Sequence, residues 1–208
     1  MKEIEIEYRV ETPFNEFDSI YKKINSVASL KSHKSRFSLM VFLSKNDEKS
    51  ILYLRTTKDY LTNEADVEIV HKKGAQHAHD RIELTQKIDS KDFENFLHLF
   101  ATITADKILV MQRETFNFKG KDGVIISLVK SRNHSYIEFE KLSSTEESDS
   151  SSKTILDLIG SLGLSPLDKD GSERLFKELD INDDIILTGS IQDSEKATDL
   201  YKHFINNS

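Results

Sequence analysis

One short segment near the start of the chain sets the architecture. It reads Glu3-Ile4-Glu5-Ile6-Glu7-Tyr8-Arg9-Val10. Charged and apolar residues alternate in it, and this is the side-chain period of a β-strand. One face of the strand would therefore carry three glutamates and an arginine, and the other face would be apolar. Because the same alternation recurs along much of the chain, the sequence predicts an α+β fold whose main element is a sheet.

Further strands and helices follow from the same kind of pattern. Strands are predicted over 37–43, 50–56, 67–71, 81–86, 107–118, 124–130 and 135–141, with a short edge strand over 185–187. Helices are predicted over 14–30, 90–103, 153–162, 172–179 and 193–205. Short connections favour antiparallel pairing. The segment 142–152 holds six serines and three acidic residues, so it is predicted to be a flexible loop before a helical C-terminal part.

The charged strand faces allow two interpretations. In the first, the charged faces are simply solvated. In the second, helices cover the apolar faces, and the charged residues point into the lumen of a closed, mainly antiparallel β-barrel of about eight strands. A lumen lined by carboxylates and cations suits a polyphosphate together with a divalent ion. We predict the second arrangement, a tunnel with covering helices, as a single domain over 1–208.

Composition narrows the class of protein. The 208-residue chain has 31% charged residues, no cysteine and a formal net charge of −7. Its apolar runs are far shorter than the roughly 20 residues of a membrane-spanning helix, and its charged N-terminus is unlike a secretory signal, so we expect a cytoplasmic protein without a membrane partner. The negative charge argues against general nucleic-acid binding. Without cysteine, any metal must be held by carboxylates or imidazoles.

Several motifs, in order along 1–179, resemble those of the CYTH domains. These triphosphate tunnel enzymes include class IV adenylyl cyclases, thiamine triphosphatases and tripolyphosphatases. The opening strand resembles the ExExK strand of the family. The other similar motifs are Ile51-Leu52-Tyr53-Leu54-Arg55 (an Arg-x-Arg strand), His71-Lys72-Lys73-Gly74 (a basic strand end), Arg81-Ile82-Glu83 (Arg-x-Glu), Arg113 with Phe116 (Lys-x-Arg and an aromatic), Tyr136-Ile137-Glu138-Phe139-Glu140 (Glu-x-Glu) and Leu162-Gly163-Leu164 (a helix end).

The resemblance implies a site for a triphosphate and one or two divalent ions, Mg²⁺ or Mn²⁺. The implied metal ligands are Glu3, Glu5, Glu83, Glu138 and Glu140. The implied phosphate-binding residues are Arg55, Lys73, Arg81 and Arg113, with Arg9, Lys72 and Lys107 as substitutes. The implied catalytic residues are Glu5, Glu7 and Arg9.

The chain also departs from the family pattern. Glu7 stands where the family has the lysine of ExExK; in a register two residues later, Arg9 takes that place instead. Other expected residues are replaced: Thr57 stands for a second arginine, Met111 for a lysine, and neither Ser127 nor Leu128 supplies an expected aspartate.

Three functions are compatible with these residues. The first is a metal-dependent phosphohydrolase acting on tripolyphosphate, thiamine triphosphate or a nucleoside triphosphate. A chemically related alternative to hydrolysis is an adenylyl cyclase that makes cyclic AMP from ATP. The second function is that of a non-catalytic module that binds polyphosphate or a nucleotide. A structural protein with solvated charged faces is the third. The expected partner is a small triphosphate and not a nucleic acid or a membrane, and a homodimer is compatible with the sequence.

Overall fold

The computed structural model describes residues 3–45, 48–73 and 82–207. Its strands are β1 (Glu3–Thr12), β2 (Ser29–Lys45), β3 (Glu48–Asp59), β4 (Glu64–Lys73), β5 (Ile82–Lys87), β6 (Lys107–Lys119), β7 (Ile125–Lys130), β8 (Ser135–Ser144) and β9 (Ile185–Leu187). Its helices are α1 (Phe17–Val27), α2 (Phe93–Ala101), α3 (Ser148–Ser161), α4 (Lys169–Asn182) and α5 (Ile191–Asn207). Short 3-10 turns cover Phe14–Glu16, Ser90–Asp92, Lys121–Gly123 and Thr145–Glu147. The predicted α+β class is confirmed.

The strands form one mainly antiparallel sheet. Its hydrogen-bonded order is β1-β8-β7-β6-β2-β3-β4-β5, and β9 pairs with β6. The sheet therefore has nine strands among the described residues, which are the eight or so main strands predicted together with the short edge strand predicted over 185–187. Because β1 and β5 stand at the two ends of this order, the hydrogen bonds between the described strands do not close the sheet strictly into a ring.

Contacts between Cα atoms divide the chain into two compact units. Unit 1 consists of Met1–His33 and Glu114–Asp183, and unit 2 of Lys34–Arg113 and Asp184–Ser208. Each unit is thus built from two separate segments of the chain, and the single domain over 1–208 stays a prediction. None of the described helices combines the length and the apolar character needed to cross a lipid bilayer.

In unit 1, two helices cover the apolar face of the sheet. Helix α1 places Phe17, Ile20 and Ile24 at three- and four-residue spacing, so that they share one side of the helix. These side chains and those of Ile155 and Ile159 on α3 are buried against the apolar residues of four strands. Those strand residues include Val10, Phe118, Ile126, Leu128, Ile137 and Phe139. Glu5, Glu7 and Arg9 of β1 and Glu138 and Glu140 of β8 are left on the opposite face, as the alternation predicted.

Helix α4 packs on that opposite, charged face. Its buried residues Leu175 and Leu179 form a small cluster with Val129 of β7 and Tyr136 of β8. Val129 and Tyr136 lie directly opposite each other in the β7–β8 pair. The α4 helix therefore covers one end of the charged face, which the sequence did not predict.

Unit 2 repeats the arrangement of helices on an apolar strand face. Phe37 and Leu39 of β2 are fully buried against Phe93 of α2 and Phe204 of α5. Edge-on and tilted ring pairs, with centroids 4.3–6.2 Å apart, join Phe37, Phe93, Tyr201 and Phe204. Because side chains alternate along a strand, the even-numbered residues of β2 lie on the other, more polar face.

The serine-rich segment 142–152 is regular structure, which corrects the predicted loop. It forms the end of β8, a 3-10 turn and the first turn of α3. Ser151 is buried, and its hydroxyl donates a hydrogen bond to the Ser143 hydroxyl over 3.0 Å. Acidic residues at the start of a helix are favoured by the helix dipole, and serines there bond to nearby backbone groups. The composition is therefore that of a helix start, which looks the same as that of a loop when composition alone is considered.

The helix predicted over 14–30 is also shorter than expected. It ends at Val27, and β2 begins at Ser29, eight residues before the predicted strand start at 37. Apart from Leu30, the residues of β2 that precede Phe37 are polar on both faces and give no clear alternation. Pairing with neighbouring strands decides their conformation, and a local pattern does not contain that information.

Candidate functional site

The pairing of β1 with β8 brings the charged residues of unit 1 together. Glu7 lies directly opposite Glu140, and Arg9 directly opposite Glu138. Directly opposite side chains in an antiparallel pair share one face, with their Cβ atoms about 4.5–5.5 Å apart. Glu5 lies two residues before Glu7 and so projects from the same face.

Three of these carboxylates could hold a metal ion. Oxygens of Glu5, Glu7 and Glu140 lie within 4.8 Å of one another. Within the described ranges, no other set of three acidic or histidine side chains meets in this way. Carboxylate oxygens are the ligands that Mg²⁺ and Mn²⁺ prefer. The residues present therefore fit the ion that the sequence predicted, and Glu7 would be a ligand in addition to the predicted Glu5 and Glu140.

Arg9 lies beside the three carboxylates. Its Nε donates a hydrogen bond to Glu138 Oε1 over 3.0 Å, and its guanidinium also forms an ion pair with Glu7. The guanidinium carbon lies 4.8 Å from the centre of the Phe176 ring, on α4. The side chains of Arg9 and Glu138 are only 19% and 22% exposed to solvent. Glu138 is thus bonded to Arg9, and its predicted role as a metal ligand stays a prediction.

The crowding of carboxylates changes their acidity. Burial, with further contributions from Glu138 and Glu5, raises the pKa of Glu7 to about 7, although Arg9 acts against the change. Burial and the neighbouring glutamates 138, 5 and 7 likewise raise the pKa of Glu140 to about 7. Close like charges disfavour ionisation of each other, and one arginine does not neutralise four carboxylates. A divalent cation would relieve this repulsion.

A row of neutral polar residues continues across the sheet from Arg9 and Glu138. Ser127 lies directly opposite Glu138, and Asn117 directly opposite Ser127. The Ser127 hydroxyl donates to Asn117 Oδ1 over 2.8 Å, and the Asn117 amide donates to the Ser32 hydroxyl over 2.7 Å. Ser127 is one of the two positions considered for the aspartate that the family resemblance implied, and it adds no negative charge next to Glu138.

In unit 2, Arg55 is the main cation among the predicted phosphate-binding residues. Its Nε donates to Glu68 Oε1 over 2.6 Å, and the Arg55 and Glu68 side chains are 16% and 15% exposed to solvent. Arg55 lies opposite Ser38 on one side and Glu68 on the other. Arg36 projects from the same face, and its Nε donates to the Thr57 hydroxyl over 3.2 Å. The sequence analysis did not select Arg36, because it lies outside the predicted strand.

The lysines of unit 2 divide between the two strand faces. Lys72 lies on the same face as Arg55, with its Nζ 5.6 Å from the centre of the Tyr53 ring. Lys107 also reaches that face, with its Nζ 5.5 Å from the centre of the Phe42 ring. Lys73 was predicted as a phosphate-binding residue, with Lys72 as a substitute. It points to the other face, because it is one residue further along β4.

Arg113 is held in a buried ion pair. Its two terminal nitrogens lie 2.7 and 2.9 Å from the two carboxylate oxygens of Asp184. The Arg113 and Asp184 side chains are only 8% and 1% exposed to solvent. Asp184 is far away in the sequence and in no recognisable motif, so this partner could not be found before the fold was known. The phosphate-binding role of Arg113 stays a prediction.

The remaining predicted residues are only partly described. Glu3 lies in β1 opposite Ser144, and Glu83 lies in β5 opposite Lys72. Their side chains, and the whole of Arg81, lie outside the described part of the chain. Their predicted roles stay predictions.

Solved structures share this fold. Residues covering 84% of the chain superpose on 98% of the PH1819 protein from Pyrococcus horikoshii, with a TM-score of 0.56 and 19% identity. The PH1012 protein of the same organism matches over 82% of this chain and 93% of its own, with a TM-score of 0.52 and 19% identity. A protein from Vibrio parahaemolyticus, named as a candidate adenylate cyclase, matches over 85% of this chain and 99% of its own, with a TM-score of 0.56 and 10% identity. At these identities the likeness establishes the fold.

Comparisons at the level of sequence found no relative. No protein-family model matches the chain. No curated protein matches it either.

Proposed function

We propose that this protein is a divalent-metal-dependent phosphohydrolase of the CYTH kind, acting on a substrate that contains a triphosphate. The observation that carries the proposal is the meeting of Glu5, Glu7 and Glu140 beside Arg9 on one strand face. Carboxylates in such a group are ligands for Mg²⁺ or Mn²⁺, and an adjacent guanidinium is a donor for phosphate oxygens. The motif order along the chain and the shared fold support the same conclusion.

The three carboxylates would hold the metal. Bound there, the ion would supply charge neutralisation for phosphate oxygens and activation of a water molecule. The raised pKa values of Glu7 and Glu140 support the assignment, because they report a concentration of negative charge that the protein alone does not balance. Structural ion pairs also shift pKa values, so the geometry of the three oxygens carries more weight.

Arg9 would bind and orient the substrate. Its guanidinium is largely shielded from water, and Glu138 and Phe176 contact it from two directions. A fixed guanidinium presents several N–H donors in one plane, which matches the oxygens of a phosphoryl group. Phosphoryl transfer depends mostly on positioning and on charge stabilisation, so a fixed donor next to a metal site is the machinery it needs. Arg9 would thereby take the place of the family lysine.

Two related functions compete with hydrolysis. The Vibrio parahaemolyticus neighbour is named as a candidate adenylate cyclase, and attack by the 3′-hydroxyl of ATP on its own α-phosphorus would give cyclic AMP and pyrophosphate. A module that binds polyphosphate without turnover is favoured by one feature of the chain, the glutamate in place of the family lysine at Glu7. Both alternatives use the same carboxylates and the same arginine.

One assay separates these functions. Tripolyphosphate, thiamine triphosphate and ATP are each incubated with the protein and Mg²⁺ or Mn²⁺, and released phosphate, pyrophosphate and cyclic AMP are quantified. Metal-dependent phosphate release would support the proposal. Formation of cyclic AMP and pyrophosphate from ATP would instead identify the protein as an adenylyl cyclase. Thermal stabilisation by a triphosphate without turnover would identify a binding module. The absence of both turnover and thermal stabilisation with all three substrates would overturn the proposal.

A further inference from the structure

We infer that Phe176 is a positioning residue, which holds the Arg9 guanidinium in the orientation that binds substrate phosphate. The inference rests on the proposed function. It assigns a role to a helix that lies outside every motif identified in the sequence.

The first observation is how Arg9 is surrounded. Its Nε donates to Glu138, a terminal nitrogen forms an ion pair with Glu7, and its guanidinium carbon lies over the Phe176 ring, 4.8 Å from the ring centre. A guanidinium within about 6 Å of a ring centre is attracted to the face of the ring. The carboxylates fix the edges of the group, and the ring fixes the tilt of its plane. Without the ring, the arginine would keep its charge partners but could rotate about them.

The second observation is that Phe176 is itself firmly placed. Its neighbours on α4, Leu175 and Leu179, are 0% and 1% exposed. The Phe176 ring packs edge-on against Tyr136, with centroids 6.2 Å apart. The backbone amide of Leu167, just before α4, donates to the carbonyl of Arg9 itself over 2.7 Å.

Polar contacts also fix the first half of α4. At its start, the Asp168 side chain accepts a hydrogen bond from the Gly171 amide over 2.7 Å. In its first half, Arg174 forms an ion pair with Glu11 over 2.8 Å. The ring is therefore presented to Arg9 by an anchored helix, and it can act as a fixed support.

These contacts give Phe176 a defined effect on the site. Arg9 must leave part of its interaction with Glu7 if it is to donate to phosphate while Glu7 binds a cation. A ring that holds the guanidinium plane keeps the freed N–H groups directed at the site. Loss of the ring would let the group collapse onto Glu138, where it is bonded already.

The test uses the full chain with tripolyphosphate and Mg²⁺. Phe176→Leu keeps an apolar side chain but removes the ring face, and we expect it to lower kcat/KM about three- to tenfold. Phe176→Tyr keeps the ring face and should recover most of that loss. Leu179→Val is the matched control, because it disturbs the same cluster one turn away without touching Arg9. It should lower the unfolding temperature and leave kcat/KM unchanged.

The decisive measurement is a double-mutant cycle with Arg9→Gln. If Phe176 acts through Arg9, Phe176→Leu should have no further effect in the Arg9→Gln protein. Where Arg9→Gln has no measurable turnover, affinity for tripolyphosphate is taken from the shift of unfolding temperature with ligand concentration. Additive effects, or an equal loss of kcat/KM in Leu179→Val, would overturn the inference while the proposed function stood. A wild-type protein that neither turns over nor binds tripolyphosphate, thiamine triphosphate or ATP would overturn both.

Discussion

Glu138 and Glu140 lie two residues apart on one strand but have different partners. Glu140 joins Glu5 and Glu7, whereas Glu138 accepts a hydrogen bond from Arg9. We expect Glu140→Gln to abolish the increase in unfolding temperature caused by Mn²⁺, and Glu138→Gln to retain it. The reason is that only the first change removes a ligand from the group of three oxygens.

The same two variants should also differ in their free energy of unfolding when no metal is present. At pH 8, Glu140→Gln should raise the free energy of unfolding by up to about 1 kcal/mol, because it removes a crowded, partly buried charge. Glu138→Gln should lower it, since Arg9 loses its partner. Denaturant unfolding measures both. Retention of Mn²⁺ stabilisation by Glu140→Gln would contradict the site assignment.

Asp183 is a structural residue that the sequence analysis missed. Its side chain is 0% exposed and accepts hydrogen bonds from the Ser131 hydroxyl, the Asn133 amide and His134 Nδ1, the last over 2.9 Å. Burial acts to raise the pKa of Asp183, but the bonds from Ser131, His134 and Asn133 hold it below its usual value. Asp183 thus ties the end of α4 to the β7–β8 connection.

Removing this carboxylate should be costly. Asp183→Ala removes the acceptor of the buried Ser131 hydroxyl and of partly buried donors on Asn133 and His134, and we expect the free energy of unfolding to fall by about 2–3 kcal/mol. Asp170→Ala, at an exposed position in the first turn of the same helix, should cost only a few tenths of a kcal/mol. Urea unfolding of the two variants checks this. Equal losses would show that the Asp183 bonds contribute nothing specific.

At the scale of elements, the β1–β8 pair concentrates acidic groups and so makes stability depend on pH. Glu7 and Glu140 have a pKa of about 7 in the folded chain and 4.5 as the unperturbed value. Between these values the folded protein binds more protons than the unfolded one, so the free energy of unfolding falls as pH rises. The favourable contribution is fully present below about pH 4.5 and is lost as pH passes through 7.

We therefore expect the metal-free protein to be less stable at pH 8 than at pH 5.5. The groups that face this pair on the same strands are Glu5, Arg9 and Glu138. The double variant Glu7→Gln, Glu140→Gln should show a markedly flatter dependence, because its amides do not titrate. Unfolding temperatures across this pH range provide the measurement. A wild-type profile that rises with pH, or an unchanged slope in the double variant, would contradict the description of the cluster.

Strand β1 shows which structural features the local sequence pattern predicts and which it does not. Alternation in β1 predicted correctly which residues share its charged face, because side-chain direction follows from the strand itself. It did not predict that Glu7 meets Glu140 and that Arg9 meets Glu138. That register depends on how two strands distant in the sequence pair, and a shift of one residue would have reversed the faces. The contact between Glu138 and Arg9 therefore had to come from the structure.

Helix α4 marks a second limit of sequence analysis. Its apolar spacing predicted a helix, and the helix is present. The same spacing does not state which surface the helix covers, so Phe176 could not be linked to Arg9. The buried pair of Arg113 and Asp184 was missed for the same reason, because its two members belong to no common motif.

For the molecule as a whole, the two units follow one construction rule. In each, helices cover an apolar strand face, and charged residues lie on the opposite face of the strands. The sequence predicted this rule from period-two alternation together with amphipathic helices. It did not predict the division into two units, since each unit joins segments that are far apart in the chain.

The central claim is that Glu5, Glu7 and Glu140 hold the metal on which triphosphate hydrolysis depends. The most direct test is the rate of phosphate release from tripolyphosphate as Mn²⁺ is titrated into wild type, Glu140→Gln and Glu146→Gln. Glu146 is an exposed acidic residue outside the group and serves as the matched control. We predict metal-dependent release by wild type and Glu146→Gln, and a loss of about a hundredfold or more in Glu140→Gln. Release that is independent of Mn²⁺, or that survives in Glu140→Gln, would contradict the claim.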